Sequence, residues 1–456
     1  MSDKILYYST NRKAEKVTFK EALLKGLAPD QGLFMPDPIP KINIEEILNF
    51  GNKAYHEIAY EVGRKFLFND IPDEDLYHIT KNAYNYDIPI EQVYERKFIM
   101  HLDQGPTASF KDFAARMMGR LMQYFLKKEN RRLLILTATS GDTGSAIANA
   151  FYELENIKVV ILYPEKEVTD RQRKQMTTLH KNIQIIALRG KFDDCQSTVK
   201  RAFADKELGY LSLSSANSIN IGRLLPQSIY YIYTCAKLCK EKNDEIIFSV
   251  PSGNFGNLMG GLISLKMGLP VKRFVVSTNE NDEVPVYLKT GKYNTIVPSV
   301  NCISSAMNVG HPSNMARIVA LYNGIMDDKG IIHKEPDLDR IRNDMFAVSI
   351  NDIKTKQTIK EVYDKYNVMI EPHGAVGWAG LMEYFKTNNN DASPEQLCVC
   401  LETAHPAKFP DEVREILNIE PDLPESLKGL ENREEQYIVL NNDYSEFKNY
   451  LRDMYS

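Results

Sequence analysis

The chain has 456 residues, 43% of them hydrophobic and 26% charged, with a formal net charge of −5; this is ordinary for a globular protein with chain enough for about three domain-sized units. Acids and bases are interspersed without a basic tract, which excludes long-range attraction to nucleic acid or an anionic membrane, and no apolar run has the length of a bilayer span. The six cysteines form no CxxC pair and have no histidines at zinc-site spacing, so they read as reduced core residues of a cytoplasmic protein without a structural metal.

Residues 1–97 read as a mainly helical N-terminal domain. "TFKEALLKGL" and "IEEILNFGNKAYHEIAYEVGRKFL" carry helical apolar spacing on either side of the Pro-rich turn segment "APDQGLFMPDPIPK". In "GPTASFKDFAARM" a further helix is expected, with Ser109 as N-cap, Asp112 in the first turn and an apolar stripe of Phe110, Phe113, Ala114, Met117, Leu121 and Phe125. Lys111 falls at the end of that helix where unpaired N–H groups disfavour an ammonium. Dipole and partial desolvation together would lower its pKa and release a neutral amine, which suits a Schiff-base lysine; a surface lysine snorkelling to water is the other reading.

From Arg132 onward short apolar runs alternate with helical segments: "LLILTAT", "KVVILYP", "IQIIAL", "IIFSVP", "RFVVST", "NVMIEP" and "LCVCLET". Runs apolar on both faces, each followed by a helix, predict parallel sheets covered by helices. The fold class is therefore α/β, with two lobes at 98–235 and 236–456. The acid- and tyrosine-rich end beyond Pro421 reads as a surface-packed tail.

Four turns at strand ends carry candidate ligand groups, because helix N-termini there present free amides. In "LTATSGDTGSAIANAF", Ser140, Asp142 and Thr143 offer hydroxyls, amides and an acid, or simply cap an ordinary strand–helix connection. In "SVPSGNFGN" the glycines let residues Gly253, Asn254, Phe255, Gly256 and Asn257 form a phosphate nest, with spacing GxxG that is neither a dinucleotide fingerprint nor a Walker loop. "LSSANSINIGRLLPQ" brings Ser218, Asn220 and Arg223 to a helix start, as an anion loop or as a capped loop with a surface arginine. "CVCLETAHPAKFP" ends a buried strand at Thr403, with His405 as a capping or core histidine. A lysine able to form an imine, a monophosphate nest and a second anion loop together describe pyridoxal 5'-phosphate held between two lobes.

The order of these motifs, from "YYSTNRKAEKVTFKEALLKGLAPDQGLFMP" through "NVGHPSNMARI" and "EPHGAVG" to "ETAHPAKFP", resembles the threonine synthase family of fold-type-II pyridoxal-phosphate enzymes (tryptophan-synthase-β-like) over most of the chain. The resemblance implies Lys111 as the Schiff-base and proton-transfer lysine, and residues Gly253 to Asn257 around the cofactor phosphate. It places Thr403 at the pyridine nitrogen, Asp142 at the ring oxygen, Ser140 and Thr143 at the substrate carboxylate, and Ser218, Asn220 and Arg223 at the substrate phosphate. The reaction it implies is O-phospho-L-homoserine and water giving L-threonine and phosphate, in a monomer or homodimer. A phospholyase giving 2-oxobutyrate on the same scaffold, an NAD-dependent oxidoreductase using the Gly253 loop and a non-enzymatic binding protein are the rivals. Lys111 beside two anion loops speaks against the last two.

Overall fold

The computed structural model describes residues 4–455. Two sheets organise it. The first has five parallel strands in the order Ile438–Asn441, Ile183–Arg189, Ile157–Pro164, Leu133–Ala138 and Leu213–Ser215. The second has six, in the order Met345–Ser349, Val271–Thr278, Ile246–Pro251, Leu397–Glu402, Lys97–His101 and Ile90–Tyr94, all parallel except the last pair. Every residue of Leu133–Ala138, Ile246–Pro251 and Leu397–Glu402 is buried, as expected of strands covered on both faces.

The sheets cut across the sequence ranges 98–235 and 236–456. Strands at 90–101 complete the sheet built from residues beyond 245, and the C-terminal strand Ile438–Asn441 returns to the edge of the first sheet. The end of the chain is thus no surface tail. Leu440, Phe447 and Leu451 pack with Val160, Leu162 and Leu188 in a core of their own. "NVMIEP" is no strand either: it links the helices Asp352–Tyr366 and Pro372–Thr387, and its apolar residues Val368 and Ile370 are buried against Ile359, Val362 and Trp378 without pairing.

The N-terminal segment is mainly helical, with an antiparallel pair Leu6–Ser9 and Phe34–Asp37 beside it. Thr18 and Glu21 form a capping box on Phe19–Lys25. The long helical pattern after Asn43 breaks into Ile44–Leu48 and Tyr55–Leu67, separated by a turn around Gly51.

What places the site is the helix Lys111–Glu129. Phe113 on its first turn is fully buried among Tyr55, Tyr84, Tyr86 and Tyr230, with ring centroids 5.2 to 6.1 Å away. Such aromatic pairs contribute about 0.5–1.5 kcal/mol each beyond their burial. The N-terminal helices therefore clamp this helix, and its first residue is held at the bottom of the cleft between the two sheets.

Candidate active site

Lys111 is the first residue of that helix, and Phe110 rather than Ser109 stands at the N-cap. The Ser109 backbone forms an isolated antiparallel bridge with Ala404 beside the strand Leu397–Glu402, and its buried hydroxyl caps nothing among the described residues. Asp112 turns back to accept from the backbone N–H and the hydroxyl of Thr107, at 2.8 and 2.7 Å, so it secures the preceding loop. Lys111 is 14% exposed, and its Nζ lies 4.8 Å from the Phe110 ring centroid and 3.7 Å from Oδ2 of Asp142. Burial lowers its pKa; Asp142 opposes this, while the cations of Lys408 and Arg223 reinforce it.

Asp142 opens the helix Asp142–Phe151, which follows the strand Leu133–Ala138 of the first sheet. Its Oδ1 receives Lys408 Nζ at 2.6 Å and Gln172 Nε2 at 3.0 Å. Burial alone would raise its pKa, but Lys408 and Lys111 outweigh that and hold the carboxyl below the usual range. Thr139 stabilises the turn by accepting the amides of Gly141 and Gly144 at 2.9 and 2.8 Å. Gly141 has φ +133, and a Cβ there would strike Gln172 at 2.6 Å, so only glycine lets Gln172 reach Asp142. Ser140 and Thr143 line the cleft beside Asp142.

The second sheet contributes the Gly253–Asn257 turn. The left-handed residue that bends it is Phe255, φ +59, and not a glycine. A conformation that costs about 1–2 kcal/mol for a residue with a Cβ is held by burial of the Phe255 ring. Strain of this kind points to function. Its result is a run of amides, Gly253 to Asn257, that donate to no protein acceptor among the described residues. Gly253 is needed for another reason: a Cβ there would meet the backbone of Ala306 and Met307 at 2.7 and 2.8 Å. Asn257 accepts from the hydroxyls of Tyr230 and Tyr231 at 2.6 and 2.7 Å, and its buried Nδ2 has no partner. Asn254 spans to the opposite loop, donating to Ser218 Oγ at 2.9 Å.

Arg223 is buried on the short helix Ile221–Leu224 and lines the cleft. One arm donates to Ala216 O at 2.7 Å, while Nε is buried without an acceptor; burial pushes its pKa down to about 10. A desolvated guanidinium with an unused donor could hold an anion. Asn220, grouped with it from sequence, does not line the cleft. Its side chain donates to Leu23 O and Ser215 O and accepts from Gly222 N–H, each at 2.9 Å, so both of its donors and its oxygen are engaged in holding the loop. Asn217 lies in the cleft in its stead.

Thr403 lines the cleft and its hydroxyl donates to Glu371 Oε1 at 3.3 Å. Glu371 is fully buried at the N-cap of Pro372–Thr387, where it also accepts from His373 and Gly374. His373 Nε2 in turn receives the Ala306 N–H at 3.0 Å, fixing the loop that backs Gly253. His405 stays outside the cleft, its ring capping the turn Pro406–Lys408. Sequence reasoning passed over Lys408, Gln172, Glu371 and Arg317. Arg317, buried, donates to Ser218 O, Ile219 O and Phe34 O; three of the four lie inside quoted motifs, yet only tertiary contact gives them work.

The cleft formed this way has an empty volume of about 1020 Å³ including its open mouth. Its donors suit a bound phosphorylated cofactor on one wall and a phosphorylated substrate on the other. Comparison with known proteins agrees. Residues 6–84 match the family model "Threonine synthase N terminus", 91–401 match "Pyridoxal-phosphate dependent enzyme", and 374–451 match "Threonine synthase, C-terminal". The threonine synthase of Haemophilus influenzae is 41% identical over 448 residues, covering 97% of this chain and 99% of its own. Among solved structures, a PLP-bound threonine synthase from Brucella melitensis superposes with a TM-score of 0.90 at 34% identity, covering 98% of this chain and 99% of its own. The yeast threonine synthase does so with 0.89 at 29% identity, covering 98% of each. The α/β fold-type-II architecture and the helical N-terminal region are shared with these relatives over nearly the whole chain: this chain belongs to the threonine synthases, pyridoxal-phosphate-dependent enzymes.

Proposed function

We propose that the cleft converts O-phospho-L-homoserine and water to L-threonine and phosphate, with pyridoxal 5'-phosphate as cofactor and Lys111 as the lysine that carries it. The observation that supports this most directly is the pairing of a desolvated lysine with two separate sets of unsatisfied donors, the Gly253–Asn257 amides with Asn257 Nδ2, and Arg223 Nε. Two phosphates, one on the cofactor and one on the substrate, fit two such sets.

When bound, the cofactor supplies the electron sink for charge that develops beside the substrate's amino group, which no protein side chain provides. The chain's residues do the rest. The five amides and Asn257 would hold the cofactor phosphate, while Thr403, backed by Glu371, would serve the ring nitrogen and Asp142 the ring oxygen. Ser140 and Thr143, with the free amides of the helix start, hold the substrate carboxylate. Ser218 and Arg223, with Asn217, receive the substrate phosphate. Lys111 Nζ, kept low in proton affinity, takes and returns protons one at a time next to the reacting carbons. Elimination to 2-oxobutyrate, the other outcome open to this scaffold, is not favoured, because the relatives compared above all bear the name threonine synthase.

The substrate is a small molecule and no described helix is long and apolar enough to cross a membrane. A cytoplasmic protein, monomer or homodimer, without nucleic-acid partners is the reading we attach to this; six free, buried cysteines accord with a reducing compartment. We also treat the helical segment that precedes the strand Ile90–Tyr94 as a domain distinct from the two lobes. The test is product analysis: the cofactor-loaded protein given O-phospho-L-homoserine should release threonine and phosphate in equal amounts. A surplus of 2-oxobutyrate would overturn the water-addition half of the reaction.

A further inference from the structure

A lysine that must act as a neutral amine is poorly served by a carboxylate 3.7 Å away, since a nearby opposite charge favours the ammonium. Asp142 does not serve that purpose alone, because its nearer partner is a second lysine. Lys408 is fully buried, with Nζ 2.6 Å from Asp142 Oδ1 and 3.0 Å from Thr107 O. It follows the strand Leu397–Glu402 of the second sheet, whereas Asp142 follows Leu133–Ala138 of the first, so the ion pair also ties the two lobes at the floor of the cleft. The neighbouring contact of Arg171 with Ala407 O and that of Gln175 with Thr107 O, at 3.1 Å, cross the same boundary.

We propose that Lys408 is a positioning residue that keeps Lys111 a reactive amine, by drawing the Asp142 carboxylate onto itself and by adding a second positive charge nearby. Two cations share one carboxylate, and the closer, fully buried one holds it. The charged groups facing Lys111 are Asp142, Lys408, Arg223 and Glu371; those facing Lys408 are Asp142, Lys111, Asp112 and His405. Around Lys111 the cations of Lys408 and Arg223 oppose the two acids, and Lys408 is the one bonded directly to the nearer acid. The inference rests on Lys111 being the reacting lysine of the proposed function.

The experiment is acetic anhydride labelling of Lys111 in the full-length chain freed of cofactor, followed across pH by peptide mass spectrometry. The native midpoint should lie below that of an ordinary lysine. Lys408→Met should raise it by about one unit or more, so that labelling below both midpoints slows roughly ten-fold. Lys408→Arg, which retains the charge, should keep the native midpoint. Where Lys408→Met does not fold, Lys408→Gln keeps a donor for Asp142 and Thr107 without the charge and should show the same rise. A depressed native midpoint that moves in neither neutral variant overturns this inference and leaves the proposed function standing. Cofactor attached to a lysine other than Lys111 in the loaded native enzyme overturns that function's assignment, and with it this inference.

Discussion

Lys111 Nζ and Asp142 Oδ2 face one another at 3.7 Å across the floor of the cleft, while the other oxygen of the same carboxylate is bonded to Lys408 at 2.6 Å. The site is therefore a shared carboxylate between two lysines, and its behaviour follows from which of them is removed.

Under the proposed function, removal of Lys111 takes away both the cofactor's attachment and the general base. Lys111→Ala should lower turnover by at least the roughly 10²–10⁴-fold that a positioned base alone contributes. Thermal stability should hold or rise slightly, since a buried amine with one distant partner is lost. Phosphate release measured beside a melting curve checks both; turnover near the native rate refutes the assignment.

Removal of Asp142 acts on the other partner. Asp142→Asn leaves Lys408 buried without its counter-charge, a change that costs about 3–5 kcal/mol. Because the folded-state carboxyl titrates below its ordinary 3.8, the native pair stabilises the fold fully above that pH and less as pH falls through the folded value. The stability gap between native and variant, read by urea denaturation, should thus be constant near neutrality and close only in acid.

Lys111 itself contributes with the opposite charge type but the same slope. Its folded pKa lies below 10.5, so the unfolded chain binds more protons in the window between the two values and stability there rises with pH. Activity limited by the neutral amine should rise as pH climbs through the folded value and level off above it. A rate that falls as pH rises there would show that the protonated form reacts.

Arg223 and Asn220 separate binding from structure. Arg223→Met removes a charged donor and should raise KM for the phosphorylated substrate about 10- to 100-fold, the equivalent of the 1.5–3 kcal/mol typical of a bond to a charged group. Asn220→Ala should leave KM nearly unchanged but lose a cap worth about 1 kcal/mol and unsatisfy Leu23 O and Ser215 O. Steady-state kinetics and melting temperature should move in opposite variants.

Gly253→Ala tests the cradle. Its Cβ would press on the Ala306 and Met307 backbone at 2.7 and 2.8 Å, which costs about 1–3 kcal/mol in a packed site, and the turn should lose cofactor affinity as it shifts. Retention of cofactor through gel filtration at the native level would count against the turn as the phosphate site.

The sequence by itself determined the periodic helix with Lys111 at its penalised end, the buried parallel strands from 133 to 164 and at 246–251 and 397–402, and the glycine-bearing turns that follow them. These are local properties: spacing declares which face is buried, and a turn's composition declares what its backbone can do. "NVMIEP" shows the limit, because an apolar run records burial and not whether a neighbouring strand is there to pair with it. Only the tertiary structure decided that the C-terminal strand returns to the first sheet, that Phe255 and not a glycine takes the left-handed turn, that Asn220 is spent on its own loop, and that Lys408 holds Asp142. The reason is the same in each case. The partner of a buried polar or charged group is chosen by how the lobes dock, and docking brings together residues whose separation along the chain leaves no periodic trace.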